Sequence, residues 1–239
     1  MNDDFISSEK NSVIRLYEAK KGDLFRGHGQ LSIFISELKI TREGIVFQLT
    51  FDRNQYMVQT AILGVVEIVA ILPAVLIALK VGLNQKEIVR CLSRLKPLKG
   101  YMYPFVLSSK SKVIDYSSGS LDSLDSALFY LGIYNRKKIL FLNSNLFENA
   151  SSTKIKNIFS RIDKVCNYCI VFNNQSISLI EKYAKISLVR CKMAAMEDFE
   201  LVSFLIKNLK DDDIAIGIGT GTGMIISKLI YRYSFDLSN

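Results

Sequence analysis

From Asp213 the chain reads Asp-Ile-Ala-Ile-Gly-Ile-Gly-Thr-Gly-Thr-Gly, so Gly217, Gly219, Gly221 and Gly223 alternate with Ile218 and the hydroxyls of Thr220 and Thr222. A strand, then alternating glycines, then a helix is the covalent pattern of a phosphate cradle. Backbone N–H groups can turn inward there, and the helix dipole favours an anion. A purely structural turn has the same pattern, and both readings stay open. A dinucleotide fingerprint would open its domain and place an acidic residue about 20 positions later; here only residues 224–239 follow. No Gly-x-x-x-x-Gly-Lys-Ser/Thr occurs anywhere, so the sequence contains no P-loop. Cys166-Asn167-Tyr168-Cys169 is a lone CxxC, with one distant histidine, His28. Zinc needs about four ligands, so no metal site is assigned, and these thiols read as core groups in a buried strand over 165–172.

The elements that must position these groups fall into two patterns. Residues 1–60 read as β-rich, with strands over 33–40, 44–51 and 56–63 and a turn at Asp52-Arg53-Asn54. A helix over 68–81 follows Gly64, and Asn84 caps a second over 85–95. Lys96-Pro97-Leu98-Lys99-Gly100 is the linker candidate. Beyond it strands at 102–107, 112–115, 138–142, 165–172, 186–189 and 213–218 alternate with helices at 121–131, 153–161, 175–183, 196–209 and 223–231. Such alternation makes an open, mostly parallel sheet, with ligands at the carboxyl ends of its strands. That edge holds Asp115, Asn143 to Asn145, Asn173, Asn174 and the glycine loop. Asp115 and Thr220 serve equally well as strand-end caps.

Bulk properties narrow the classes. The 239 residues carry a net charge of +8, with Lys and Arg scattered singly among acids, and 49% hydrophobic content. A solvated basic surface, with no nucleic-acid partner, is expected. The four cysteines and the lack of a leader pattern imply a reduced, cytoplasmic protein. Residues 61–79 carry one charge, Glu67, and contain Pro73. They read as strand then helix rather than a membrane span.

The order of motifs resembles the junction between the central and C-terminal domains of the Mur ligases, the ATP-dependent enzymes that extend the peptide of peptidoglycan precursors. The likeness is strongest to the D-alanyl-D-alanine-adding type. That type's Asp-Val-Val-Leu-Val-Lys-Gly-Ser-Arg-Gly falls on Asp213 to Gly221 or so, leaving Ile218, Thr220 and Gly221 where it has Lys, Ser and Arg. Its Asp-Ser-Tyr-Asn-Ala-Asn-Pro falls on Asp115-Tyr116-Ser117-Ser118-Gly119-Ser120-Leu121, keeping the carboxylate and losing both Asn groups. Gly-Arg-Met-Glu becomes Gly100-Tyr101-Met102-Tyr103. Gly-x-His-Asn-x-x-Asn becomes Gly64-Val65-Val66-Glu67-Ile68-Val69-Ala70. Asn2-Asp3-Asp4 resembles a further family element.

The resemblance implies an α/β chain: a partial Mur-ligase central domain, β-rich plus helices, over 1–98, then a Rossmann-like, mostly parallel sheet domain over 99–239. It implies Asp115, Ser117, Ser118, Gly219, Thr220 and Gly221 as nucleotide- or anion-binding positions, with no catalytic residue assigned. Two functions stay open. One is a non-catalytic module that binds a partner, which includes a second copy. The other is half of a split ligase, with ATP and Mg²⁺ and a separate P-loop half. The first domain is expected to hide an apolar face against a partner.

Overall fold

The computed structural model describes residues 33–51, 54–107, 109–173 and 177–236. Asn2-Asp3-Asp4, His28, Asp52-Arg53 and Asn174 lie outside them. Two compact units meet between Lys96 and Pro97.

In the first unit, β1 (Ile33–Ile40), β2 (Ile45–Phe51) and β3 (Asn54–Thr60) form an antiparallel meander. Strand β2 alternates strictly, burying Ile45, Phe47, Leu49 and Phe51 on one face, as a one-sided sheet requires. Helices α1 (Val65–Lys80) and α2 (Gln85–Leu92) close that face. Ile68, Leu72 and Val75 supply the buried stripe of α1, roughly 1.5–3 kcal/mol for each side chain fully withdrawn from water. Asn84 caps α2, its side chain accepting the Glu87 N–H at 2.9 Å. The helix spans only 16 residues, and among the described residues no helix is long and apolar enough to cross a membrane.

The second unit is a six-stranded sheet in the order β4-β5-β9-β6-β7-β8. Strand β4 (Tyr103–Val106) is antiparallel. Strands β5 (Lys112–Tyr116), β6 (Lys138–Asn143), β7 (Tyr168–Phe172), β8 (Lys192–Met196) and β9 (Ile214–Ile218) are parallel. Their helices are α3 (Leu124–Gly132), α4 (Ser152–Val165), α5 (Ile177–Ser187), α6 (Asp198–Asn208) and α7 (Thr222–Asp236). Strand β9, Ile-Ala-Ile-Gly-Ile, is buried throughout. It lies between β5 and β6, as a continuous β-branched run in a covered parallel sheet should. One face packs Val113, Ile139, Phe141, Ile170 and Ala215 under α6 and α7.

Two boundaries differ from the sequence reading. The expected strand over 186–189 is the end of α5 and a turn, with Ile186 65% and Val189 87% exposed. The strand that exists is β8, Lys-Met-Ala-Ala-Met, whose alanines and methionines carry little β propensity. Pairing with β7 overrides that propensity. The reading of 165–172 as one strand also fails: Val165 ends α4, Cys166 is its C-cap, and β7 begins at Tyr168. The Asp163 carboxylate orders the turn before β8, its Oδ1 accepting the N–H groups of Val189, Arg190 and Cys191 at 2.8, 2.7 and 2.8 Å. Burial raises the Asp163 pKa, but these bonds and the Arg190 charge together bring it below the usual carboxylate value. A depressed folded pKa adds stability above the unfolded pKa, and that stability disappears as pH falls through the folded value. Solvent screens this partly exposed carboxylate, so Asp163→Ala is expected to cost about 0.5–1 kcal/mol at neutral pH and to flatten the acid limb of the urea-midpoint profile. An unchanged acid limb would show that Asp163 does not supply it.

Cys166 and Cys169 of the CxxC pack in the core beside Cys191. Among the described residues no group of three or more metal-ligating side chains forms. Cys166, Cys169 and Cys191 are buried and free. Burial raises all three thiols, Cys191 to about 12, so thiolate is scarce at neutral pH. In native protein a maleimide should label the exposed Cys91 and leave these three unlabelled until denaturant is added. Rapid native labelling of Cys166 or Cys191 would contradict the packing.

Candidate functional site

The carboxyl ends of β5, β9 and β6 converge where β9 passes to α7, and the glycine loop sits between its two neighbours. Gly219 (φ +95°) and Gly221 (φ +87°) take left-handed backbone, which glycine tolerates without a Cβ penalty. This turns the chain from strand to helix within three residues. The Gly219 N–H donates to the Tyr116 carbonyl at 3.2 Å, joining the loop to β5. On the other side Asn143, at the end of β6, donates from Nδ2 to the Thr220 carbonyl at 2.6 Å. Its Oδ1 accepts the Asn145 N–H at 2.8 Å. Ser144 donates its hydroxyl to the Asn173 carbonyl, continuing the ties toward β7.

Asp115 is 6% exposed. Its Oδ1 accepts the Ser117 N–H at 3.0 Å and lies 3.2 Å from the Thr222 hydroxyl. That hydroxyl also sits 2.9 Å from the Gly219 carbonyl, so one proton serves both acceptors. A Cβ on Gly223 would stand 3.5 Å from Asp115 Oδ2. The carboxylate thus lies against the first turn of α7, where a negative charge is favoured by the helix dipole. Ser117 and Ser118 serve the turn after β5: Ser118 N–H and Oγ both donate to the Gly100 carbonyl, at 3.0 and 2.6 Å. A Cβ on Gly100 (φ +83°) would reach 2.8 Å from Ser117 Oγ.

The structure therefore brings Asp115, Ser117, Gly219, Thr220 and Gly221 to one edge, with Ser118 tied to Gly100. Thr222 and Asn143 are the groups that join them. Thr222 is fully buried. Its hydroxyl in the first helical turn after the glycines was the available signal, and a scan for charged groups passes over it. The Thr220 and Gly221 N–H groups donate to no acceptor among the described residues. The loops of this edge, residues 117–120, 144–151, 173–176, 197 and 219–222, contain no Lys, Arg or His, and they include Glu148 and Glu197. Lys154 and Lys228, on the helices that adjoin it, are paired with Asp122 and Asp198. The residues present do not fit a nucleoside triphosphate with its metal. The buried carboxylate of this edge is already bonded, and the Lys154 ammonium group is held by Asp122 at 2.7 Å. In the first unit, Glu67 sits in the first turn of α1 with Oε2 buried and unbonded among the described residues.

With this geometry in view, the likeness to solved structures is informative. MurF from Acinetobacter baumannii superposes with a TM-score of 0.70 at 17% identity, over 83% of this chain and 45% of that one. The chain has a Mur-ligase fold. MurF from Thermotoga maritima, solved in complex with ADP, gives a TM-score of 0.67 at 10% identity over 84% of this chain and 46% of its own. The UDP-N-acetylmuramate-alanine ligase MurC of Thermotoga maritima gives 0.68 at 11% identity, over 84% and 46%. The chain thus spans less than half the length of the ligases it resembles. No family model and no curated protein matches the sequence.

Proposed function

We propose that this chain is a non-catalytic Mur-ligase-like module, related to peptidoglycan precursor ligases and acting by binding a partner. One observation carries this reading: the edge at which a nucleotide would sit is closed on itself. Asp115 is bonded to Thr222 and Ser117, Asn143 to Thr220, and the loops of the edge contain no Lys, Arg or His. Electrostatic stabilisation is the main lever of phosphoryl transfer, and cations are its usual instruments. The apolar stripe of α1 supports a partner. Val66, Ala70, Ala74, Ile77 and Val81 recur at helical spacing and are exposed, Ile77 by 58% and Val81 by 72%. The second reading, half of a split ligase working with a separate P-loop chain, is supported by the unbonded Thr220 and Gly221 N–H groups of the glycine loop.

An ATP-turnover assay on the pure chain with Mg²⁺ tests the first reading. No turnover above buffer is expected, and turnover abolished by Asp115→Ala would overturn it. Adding a P-loop half-ligase chain tests the second: chain-dependent turnover lost in Asp115→Ala would establish it.

A further inference from the structure

Four basic residues gather at the amino edge of the six-stranded sheet. Arg136 and Lys137 stand at the start of β6, and Arg190 and Lys192 at the start of β8. With Asn135, Asn167 and Tyr168 they line one surface depression of about 450 Å³ that contains four cations and no carboxylate. A volume of that order suits a small ligand.

The segments bearing these cations are fixed. Asn167 bridges them: its Oδ1 accepts the Lys138 N–H at 2.8 Å, its N–H donates to the Lys138 carbonyl at 2.9 Å, and its carbonyl accepts the Lys192 N–H at 2.9 Å. Asp213 Oδ1 accepts the Lys137 N–H at 3.1 Å, and Asp163 holds the Arg190 N–H. Asp213 and Asp163 are thus committed to backbone, while Asp211 and Asp212 line a neighbouring depression that Arg136 also borders. Lys137 is partly compensated, donating to the Asn208 carbonyl at 2.8 Å with Asp213 Oδ2 at 4.0 Å. Arg136, Arg190 and Lys192 enter no ion pair among the described residues. Lys192 Nζ lies 5.9 Å from the centre of the Tyr168 ring.

Two guanidinium forks and two ammonium groups around one hollow, offset only in part by Asp163 near Arg190 and Asp213 near Lys137, repel one another unless an anion joins them. Guanidinium groups match phosphate oxygens in pairs. We propose that the hollow between the amino ends of β6, β7 and β8 binds a small polyphosphate-bearing ligand, held by Arg136, Arg190 and Lys192 with Lys137 behind them. The four basic groups gather in one shallow depression, whereas a nucleic-acid track needs basic groups running beyond one depression. This site is independent of the ligase-like reading, because it lies at the other end of the strands.

The test is isothermal titration of the full chain with inorganic tripolyphosphate and with pyrophosphate, at about 50 mM and about 200 mM salt. Saturable binding below about 1 mM is expected, at least tenfold weaker in the Arg136→Gln/Arg190→Gln double variant. The charge-matched Lys154→Gln/Lys228→Gln variant, altered elsewhere on the same unit, should bind as the parent does. In amide NMR spectra the Lys137, Lys138 and Lys192 resonances should shift on titration while Gly219 and Thr220 stay still. No saturable binding, equal losses in the two double variants, or shifts centred on Gly219 would overturn the proposal. So would tighter binding of a single-stranded oligonucleotide than of tripolyphosphate.

Discussion

Gly217→Ala should destabilise the second unit by about 1–3 kcal/mol, even though the residue's backbone conformation suits alanine. The reason is steric. A Cβ at this position would stand 2.2 and 2.4 Å from two ring carbons of Phe141 and 2.9 Å from the Thr222 methyl. Phe141 is fully buried in the core under α6 and α7, and cores of this density accommodate an added methyl poorly. Shrinking the ring should restore room, so Phe141→Leu placed on Gly217→Ala should cost less than the sum of the single changes, with a coupling of about 0.5–3 kcal/mol. Urea denaturation of the four proteins measures this directly. Additive losses would mean that the ring and the strand do not press on one another. The result matters for function because the same contact seats Thr222 beneath the glycine loop.

The second large effect is expected at Asp115. Asp115→Ala removes a buried carboxylate that accepts from a backbone N–H and sits within bonding distance of a buried hydroxyl. Hydrogen bonds to charged groups contribute roughly 1.5–3 kcal/mol each. Thr222 keeps its bond to the Gly219 carbonyl, which limits the loss. A net cost of about 2–3 kcal/mol follows, a fall in Tm of roughly 5–10 °C for a chain of this size. Thr222→Val should produce part of the same loss and add little to it in the double variant, since both act on one contact. A stable Asp115→Ala protein would show that the carboxylate is held for some purpose other than the fold.

Much of this architecture was legible from periodicity. The apolar run of β9, the glycine turn and the helix after it are signals that agree with one another, and the alternation of strands and helices beyond Gly100 dictates a parallel sheet. The short strand β8 was illegible because its Ala and Met residues are strand-like only through their pairing with β7. The neighbouring Ile186 and Val189 look strand-like, yet they are exposed at a helix end. The break in the CxxC segment follows from the helix cap at Cys166, which apolar composition conceals.

At the candidate site the sequence singled out Asp115 and the glycines, which the fold brings to one edge, because strand ends and loops are local features. It did not disclose that Thr222 and Asn143 lock that edge. Those bonds join residues 107 and 77 positions apart, and they exist only once β9 has inserted between β5 and β6. The gathering of Arg136, Lys137, Arg190 and Lys192 was hidden for the same reason. Along the chain they are scattered single charges, and the sheet stacks the starts of their strands.

We propose that the carboxyl edge is a structural clasp and not a nucleotide site. Isothermal titration of the pure chain with ATP and Mg²⁺ tests it most directly, with the Arg136→Gln/Arg190→Gln and Asp115→Ala variants run alongside. The account predicts that any ATP binding is weakened at least tenfold in the arginine variant and unchanged in Asp115→Ala wherever that protein is folded. Saturable binding of ATP and Mg²⁺ that survives loss of the two arginines and disappears with Asp115 would contradict it.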